Sequence, residues 1–310
     1  MDRIEEMAAF VAVAGAGTFV GAARQLGRSP AALTRAVAAL EDRLGARLFT
    51  RTTRVVSLTD AGRRYLAPCD AVLRDVAALE SSARTEREEV VGSLAVTASV
   101  VFGRLYVAPL VTEFLRRHAS VDARMVLSDD IVPLVEAGVD VGVRIAHLAD
   151  SSLKAIRVGS VRRGVYASPA YLAAHGEPVK PADLARHACI AFTGAGQLAE
   201  RWRFGRGGKN NTVVIAPRCV VNLAEPAIDA AVAGFGVTRV LSYMVDHLVR
   251  AGALRPILRI YDPPPIPVHV VYPAGRHLPL RARLFIDFAV ESLRARFDHA
   301  VESSTARRVT

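Results

Sequence analysis

The chain has 310 residues, 51% of them hydrophobic and 23% charged, which excludes a disordered polymer and allows two or three domains with a real core. No run of about 18 uncharged apolar residues occurs, so no transmembrane helix is expected. The formal net charge is +10, and all but three of the 40 basic residues (Lys154, Lys180, Lys209) are arginine, a balance that favours an anionic partner such as nucleic acid without requiring one.

The opening "MDRIEEMAAF" has acids where an export signal has a basic start, so a cytoplasmic protein without a membrane partner is expected. Cys69, Cys189 and Cys219 are odd in number and widely spaced. They make neither a disulfide framework nor a metal-ligand pattern and are expected as reduced, buried thiols.

Ile4, Met7, Phe10, Val11 and Ala14 recur at helical spacing and predict a first helix, ended by Gly15 and Gly17. Thr18 is a suitable N-cap for a second helix with Phe19, Ala22, Ala23 and Leu26, stopped by Gly27. Ser29 caps a third, with Pro30 at its first position and an apolar stripe of Leu33, Val37, Leu40 and Leu44. Helix, short glycine turn, helix is a helix-turn-helix.

The other face of the third helix carries Ala31, Thr34, Arg35, Ala38 and Asp42. Small residues let a backbone approach base edges in the major groove, where Arg35 can reach a guanine or a phosphate and Thr34 a base or backbone oxygen. Alanines also favour helix for their own sake, so this face alone leaves a merely solvated surface open. The following "LFTRTTRVVSLTDAG" (48–62) reads as a hairpin with Arg51 and Arg54 near its tip, a wing able to grip phosphates. From Arg24 to Arg64 nine arginines stand against three acids, a footprint expected of a DNA-binding module.

Thr59 is a cap for a long helix whose Leu66, Cys69, Leu73, Val76 and Ala83 form a stripe widened by Val72 and Leu79, with Pro68 as a potential kink. With no core nearby in sequence to cover it, the stripe suggests pairing with a second copy, packing on its own domain being the alternative. "SSARTEREEVVG" (81–92) reads as a polar linker.

Beyond it, strands "GSLAVTASV", "DARMVLS" and "VDVGVRI" alternate with helical "GRLYVAPLVTEFLRRH" and "IVPLVEAG". The pattern restarts with "GVYAS", "CIAF", "TVVIAPRCVV", the helical "EPAIDAAVAG" and "FGVTRVL", and closes with "PVHVVYP" and a final helix over 278–297. This alternation implies mainly parallel sheets in two lobes around a cleft; residues after 298 read as a frayed tail. Neither a dinucleotide fingerprint, a phosphate loop nor a G-x-S-x-G elbow is present, and the eight histidines are scattered. An enzyme or binding protein whose N-terminal helices serve only assembly is the competing reading; the arginine-rich wing and the missing catalytic constellation speak against it.

On these residues the chain resembles the LysR-type transcriptional regulators. The resemblance is carried by "GTFVGAARQLGRSPAALTRAVAALEDRLGARLFTRTTRVVSLTDAG" (17–62), "GSLAVTASVVFGRLYVAPLVTEFLRRH" (92–118), "DVGVRIAHLADSSLKAIRVG" (140–159) and "ASPAYLAAHGEP" (167–178). It implies an α-rich winged helix-turn-helix domain (1–60), a dimerising linker helix (61–91), and a two-lobed α/β effector domain of the periplasmic-binding-protein type (92–298, with lobe one at 92–161 and 267–298 and lobe two at 162–266) before a tail (299–310). It implies a homodimer or homotetramer, not an enzyme and without a cofactor, that binds double-stranded DNA and contacts RNA polymerase under control of a small-molecule effector.

Carried over by position, the implied DNA-contacting set is Ser29, Pro30, Ala31, Thr34 and Arg35, with Arg51, Thr53 and Arg54 in the wing. Thr34 stands in place of the commoner serine, and Pro30 and Ala31 where polar side chains are frequent. The implied effector site is Ser99, Val100 and Phe102 after the first strand, Ser128 after the second and Arg144 at the end of the third, faced by Thr193 and Asn222. Helix N-termini and hydroxyls there favour a carboxylate ligand, with which Arg144 would pair unless it holds a structural salt bridge.

Overall fold

The computed structural model describes residues 2–51, 56–84, 90–148, 153–193, 200–206, 209–274 and 278–306. Three helices open the chain: α1 (Arg3–Ala16), α2 (Phe19–Leu26) and α3 (Pro30–Leu44). Asp2, Thr18 and Ser29 cap them, their side chains accepting the N–H groups of Ile4, Gly21 and Ala32. The turn between α2 and α3 needs a left-handed residue, which Gly27 supplies at φ 61°. Phe10, Val13, Val37 and Leu40 are fully buried where the three helices meet, and the expected stripe of α3 holds except at Leu44, which is 39% exposed.

A short antiparallel ladder follows, β1 (Phe49–Arg51) with β2 (Val56–Leu58). The ring of Phe49 packs 5.2 Å from that of Phe10, so the hairpin base is part of the core. The long helix α4 (Asp60–Arg84) contains Pro68. Its stripe is not left bare in its first half. Tyr65, Leu66, Cys69 and Leu73 pack on the N-terminal core, because α4 folds back along α1 and Cys69 approaches the Met7 carbonyl oxygen at 3.8 Å. Val72, on the other side, is 42% exposed. Burial pushes the Cys69 thiol up to about 11, so it is unreactive at neutral pH. Cys189 is also buried and Cys219 partly so.

Gly62 marks the close approach of α4 to the hairpin. A Cβ there would lie 2.1 Å from the Leu48 carbonyl oxygen. Gly62→Ala is therefore expected to destabilise the N-terminal domain by about 1–3 kcal/mol, read by denaturant unfolding; wild-type stability would contradict this contact.

Two five-stranded sheets make up the rest. The first has the order β4-β3-β5-β14-β6, with β3 (Gly92–Ala98), β4 (Val121–Leu127), β5 (Val141–Ile145), β6 (Leu153–Val161) and β14 (Ile266–Pro273). The second has the order β11-β8-β12-β7-β13, with β7 (Arg163–Ala167), β8 (Cys189–Phe192), β11 (Pro217–Val221), β12 (Val237–Leu241) and β13 (Arg255–Ile257). β3, β4 and β5 are parallel, as are β8, β11 and β12. Leu94, Ala95, Val96 and Ala98 of β3 are all buried, as expected of a strand covered on both faces. A hairpin of β9 (Arg201–Arg206) and β10 (Lys209–Val214) stands apart as its own sheet.

The helix after β3 begins as α5 (Val100–Phe102), widens into one π turn (Gly103–Val107) and continues as α6 (Ala108–Arg117). The widening has a local cause: Pro109 has no N–H to give its fourth preceding carbonyl, and the Ala108 N–H bonds Gly103, five residues back. Lobe two adds α7 (Pro169–His175), α8 (Ala224–Val232) and α9 (Ser242–Arg250).

Four expectations need correction. The sheets are mixed instead of mainly parallel, because β14 runs antiparallel to β5 and β6 and β7 antiparallel to β12 and β13. "IVPLVEAG" forms turns instead of a helix, since Leu134 packs under Val271 with Val139 and a loop suffices to bury it. "TVVIAPRCVV" divides into β10 and β11 at Pro217. The expected tail is helical as far as Ala306, because α10 (Leu280–Ala306) runs past residue 298.

Candidate DNA-binding and effector sites

α3 buries Leu33, Ala36, Val37, Leu40 and Glu41 and turns Ser29, Pro30, Ala31 and Arg35 outward, with Thr34 and Ala38 half-exposed. Two of the expected contact residues have local work. Ser29 is the N-cap. The Thr34 hydroxyl donates to the Pro30 carbonyl at 2.9 Å, so its oxygen is left as an acceptor. Arg35 is exposed and, among the described residues, no acid pairs with it.

Four neighbouring arginines are committed elsewhere. Arg28 pairs with Glu5, Arg43 with Glu6, Arg47 with Glu41 and Arg63 with Asp60, at 2.5–2.9 Å. Glu5 and Glu6 lie outside the 24–64 window, so the local charge excess is smaller than the window suggests. It concentrates on the cations left without an acid, Arg35 among them. Arg51 ends β1 opposite Val56; Thr53 and Arg54 lie outside the described residues.

Glu41 is the residue the sequence did not single out. It is 2% exposed, and its carboxylate accepts the N–H groups of Leu48 and Phe49 at 2.8 and 3.1 Å and the Arg47 guanidinium at 2.9 Å. Burial alone would raise its pKa, but these bonds outweigh it and hold the carboxyl below its ordinary value. From the other side Thr59 donates to the Arg47 carbonyl at 2.7 Å while accepting from Gly62 N–H at 3.0 Å. The wing therefore leaves the core from a base fastened by Glu41 and Thr59.

In the C-terminal region the carboxyl ends of β3 and β4 point toward lobe two, the arrangement in which open α/β sheets receive ligands. Ser99 caps α5 without a side-chain capping bond. The Val100 N–H is taken by Asp129, at 3.1 Å. Ser128 accepts from the Asp130 N–H. Thr193 bonds the Val221 carbonyl through both its N–H and its hydroxyl, and Asn222 is exposed just after β11. Phe102 is fully buried, 4.7 Å from the Tyr106 ring and 5.2 Å from the Tyr243 ring. The Arg144 guanidinium donates to the Val132 carbonyl, with burial lowering its pKa. Ser99 and Val100 thus come together with Asp129, Glu225 and Tyr243, three residues the sequence did not single out, whereas Arg144 anchors the loop after β4.

Residues 4–63 match the family model for the bacterial regulatory helix-turn-helix protein of the lysR family, and residues 87–294 match the LysR substrate binding domain. An HTH-type transcriptional repressor of Pseudomonas aeruginosa is 35% identical over 94% of this chain and 92% of its own. The regulator CrgA of Neisseria meningitidis is 34% identical over 93% of this chain and 96% of its own. The solved structure of CrgA, a LysR-type transcriptional regulator, superposes with a TM-score of 0.59, covering 93% of this chain and 98% of that one at 33% identity. With a helix-turn-helix whose groove-sized face is bare, a pinned wing and a two-lobed α/β domain, this chain belongs to the LysR family of transcriptional regulators, which bind DNA and are not enzymes.

Proposed function

We propose that this chain is a cytoplasmic homodimer or homotetramer that binds its operator through α3 and the wing, and that a small molecule held between the lobes alters DNA bending and contact with RNA polymerase. Residues 1–60 serve as the DNA-binding unit, 61–91 as the pairing helix and 92–298 as the effector unit. Arg35 reads a base edge, Thr34 accepts at its side, Ser29, Pro30 and Ala31 bring the backbone close, and Arg51, Thr53 and Arg54 grip phosphates. In the effector unit Ser99, Val100, Ser128, Thr193 and Asn222 border the ligand. Phe102 supports them from the core, and Arg144 holds the loop that carries Asp129 and Asp130. No helix among the described residues is long and apolar enough to cross a membrane, which fits this reading.

The observation that carries it is the exposed Arg35, without an acid partner among the described residues, on an otherwise bare helix face beside a wing with a fastened base. Footprinting on the DNA upstream of the chain's own gene tests it. A discrete protected site is expected, with an affinity that falls by about 10³-fold or more between 50 and 200 mM salt if six phosphates are neutralised. No protected site, or an affinity flat in salt, would sink the reading.

A further inference from the structure

Six buried side-chain polar atoms have no hydrogen-bond partner among the described residues, and four of them gather where the lobes meet: Ser99 Oγ, Asp129 Oδ2, Glu225 Oε2 and the Tyr243 hydroxyl. Ser99 follows β3, Asp129 follows β4, and Glu225 and Tyr243 sit in the first turns of α8 and α9. Their proximity shows in their electrostatics. Burial, chiefly, raises the pKa of the Tyr243 hydroxyl, which the adjacent Ser99 hydroxyl lowers and the charges of Asp129 and Glu225 raise further; Asp129 is raised by burial first, against the bond from Val100, and by Glu225 and Asp130 as well. Tyr243 is only 5% exposed, so its hydroxyl is a buried polar group beside Ser99 and close enough to Asp129 and Glu225 to feel their charge. Buried polar groups are rarely left this way without a ligand or water to complete them.

The chemistry of the missing partner is legible. Ionised carboxylates only accept hydrogen bonds, so the partner must donate. A carboxylate ligand would find the Val100 N–H already occupied by Asp129. It would also meet Asp129, Asp130 and Glu225 at like charge. Arg104 offsets little of this: it is 61% exposed and reaches only Glu225 Oε1, at 3.8 Å.

Resting on the effector reading above, we propose that the cleft takes an organic cation with N–H donors, an ammonium or guanidinium, seated between Asp129 of lobe one and Glu225 of lobe two with Ser99 and Tyr243 completing its hydrogen bonds. Such a ligand bridges acids from both lobes and so favours their closure. The carboxylate expected from the sequence is thereby replaced by its opposite in charge.

Calorimetric titration of the full-length protein with tyramine and agmatine, against 3-(4-hydroxyphenyl)propanoate as the anionic counterpart, tests the proposal. At least one amine is expected to bind, the carboxylate is expected not to, and Glu225→Gln and Asp129→Asn are each expected to weaken the amine by tenfold or more. Both replacements keep the side-chain shape, and Asp129→Asn keeps an acceptor for Val100. Binding of the carboxylate alone, binding of neither amine, or an amine affinity equal in the wild type and both variants would overturn it. Operator affinity measured with the amine bound separates the two readings: an unchanged operator affinity would remove the effector role and leave the cation site standing.

Discussion

Glu41→Ala is expected to destabilise the N-terminal domain by about 2–5 kcal/mol, since two buried N–H groups lose their acceptor at about 1–3 kcal/mol each. Those groups are the amides of Leu48 and Phe49, and Leu48 is 1% exposed. The Arg47 guanidinium adds little because it is 67% exposed and solvated. A loss of this size is a large fraction of the 5–15 kcal/mol or so that holds a typical domain together. It also frees the strand from which the wing departs.

The same carboxylate has a pH signature. Its folded pKa lies below the ordinary 4.5, so its stabilisation is present above 4.5 and is lost as pH falls from there through the folded pKa. Denaturant unfolding at pH 7 and again between pH 5 and 3 reads both effects. The wild type is expected to lose stability over the acid range more steeply than Glu41→Ala. Stability of the variant within about 0.5 kcal/mol of the wild type at pH 7 would contradict the pinning role.

The caps of the first three helices were legible because capping is local: Thr18 and Ser29 each bond an N–H three residues on. The same locality explains the misreading of "IVPLVEAG", whose apolar spacing serves a turn closed by the Ala137 N–H on the Pro133 carbonyl. β9 is equally hard to read from local sequence. Trp202 and Phe204 are buried between exposed arginines, an alternation of period two that the charges obscure. The cover on the first half of the α4 stripe is illegible for the opposite reason, because α1 lies about 60 residues earlier.

The helix-turn-helix is legible in one segment of sequence, but the cluster where the lobes meet is not. Ser99, Asp129, Glu225 and Tyr243 follow four strands of two sheets, and each taken alone is an unremarkable residue at a strand end or in a first helical turn. Only the parallel order of β3 with β4 and of β8 with β11 and β12 brings their ends to one place. Glu41 was hidden differently: its buried carboxylate sits on a helix whose polar residues read as a solvated face.

Arg35→Ala carries the other large expected effect. A side chain that reads a base edge contributes about 1–3 kcal/mol, or about 5–150-fold in affinity. Thr34 has given its proton to Pro30, and Pro30 and Ala31 have no side-chain donor, so little on α3 can take over, and DNA shape must supply the remaining discrimination. Loss of a phosphate contact would weaken all sequences alike, whereas loss of a base contact removes preference.

The most direct test is therefore a ratio: the affinity for the footprinted operator over that for a scrambled duplex of equal length, at one fixed salt concentration, for wild type and Arg35→Ala. The ratio is expected to fall about 5–150-fold in the variant while the affinity for the scrambled duplex changes far less. An unchanged ratio would contradict the assignment of α3 as the helix that reads the operator.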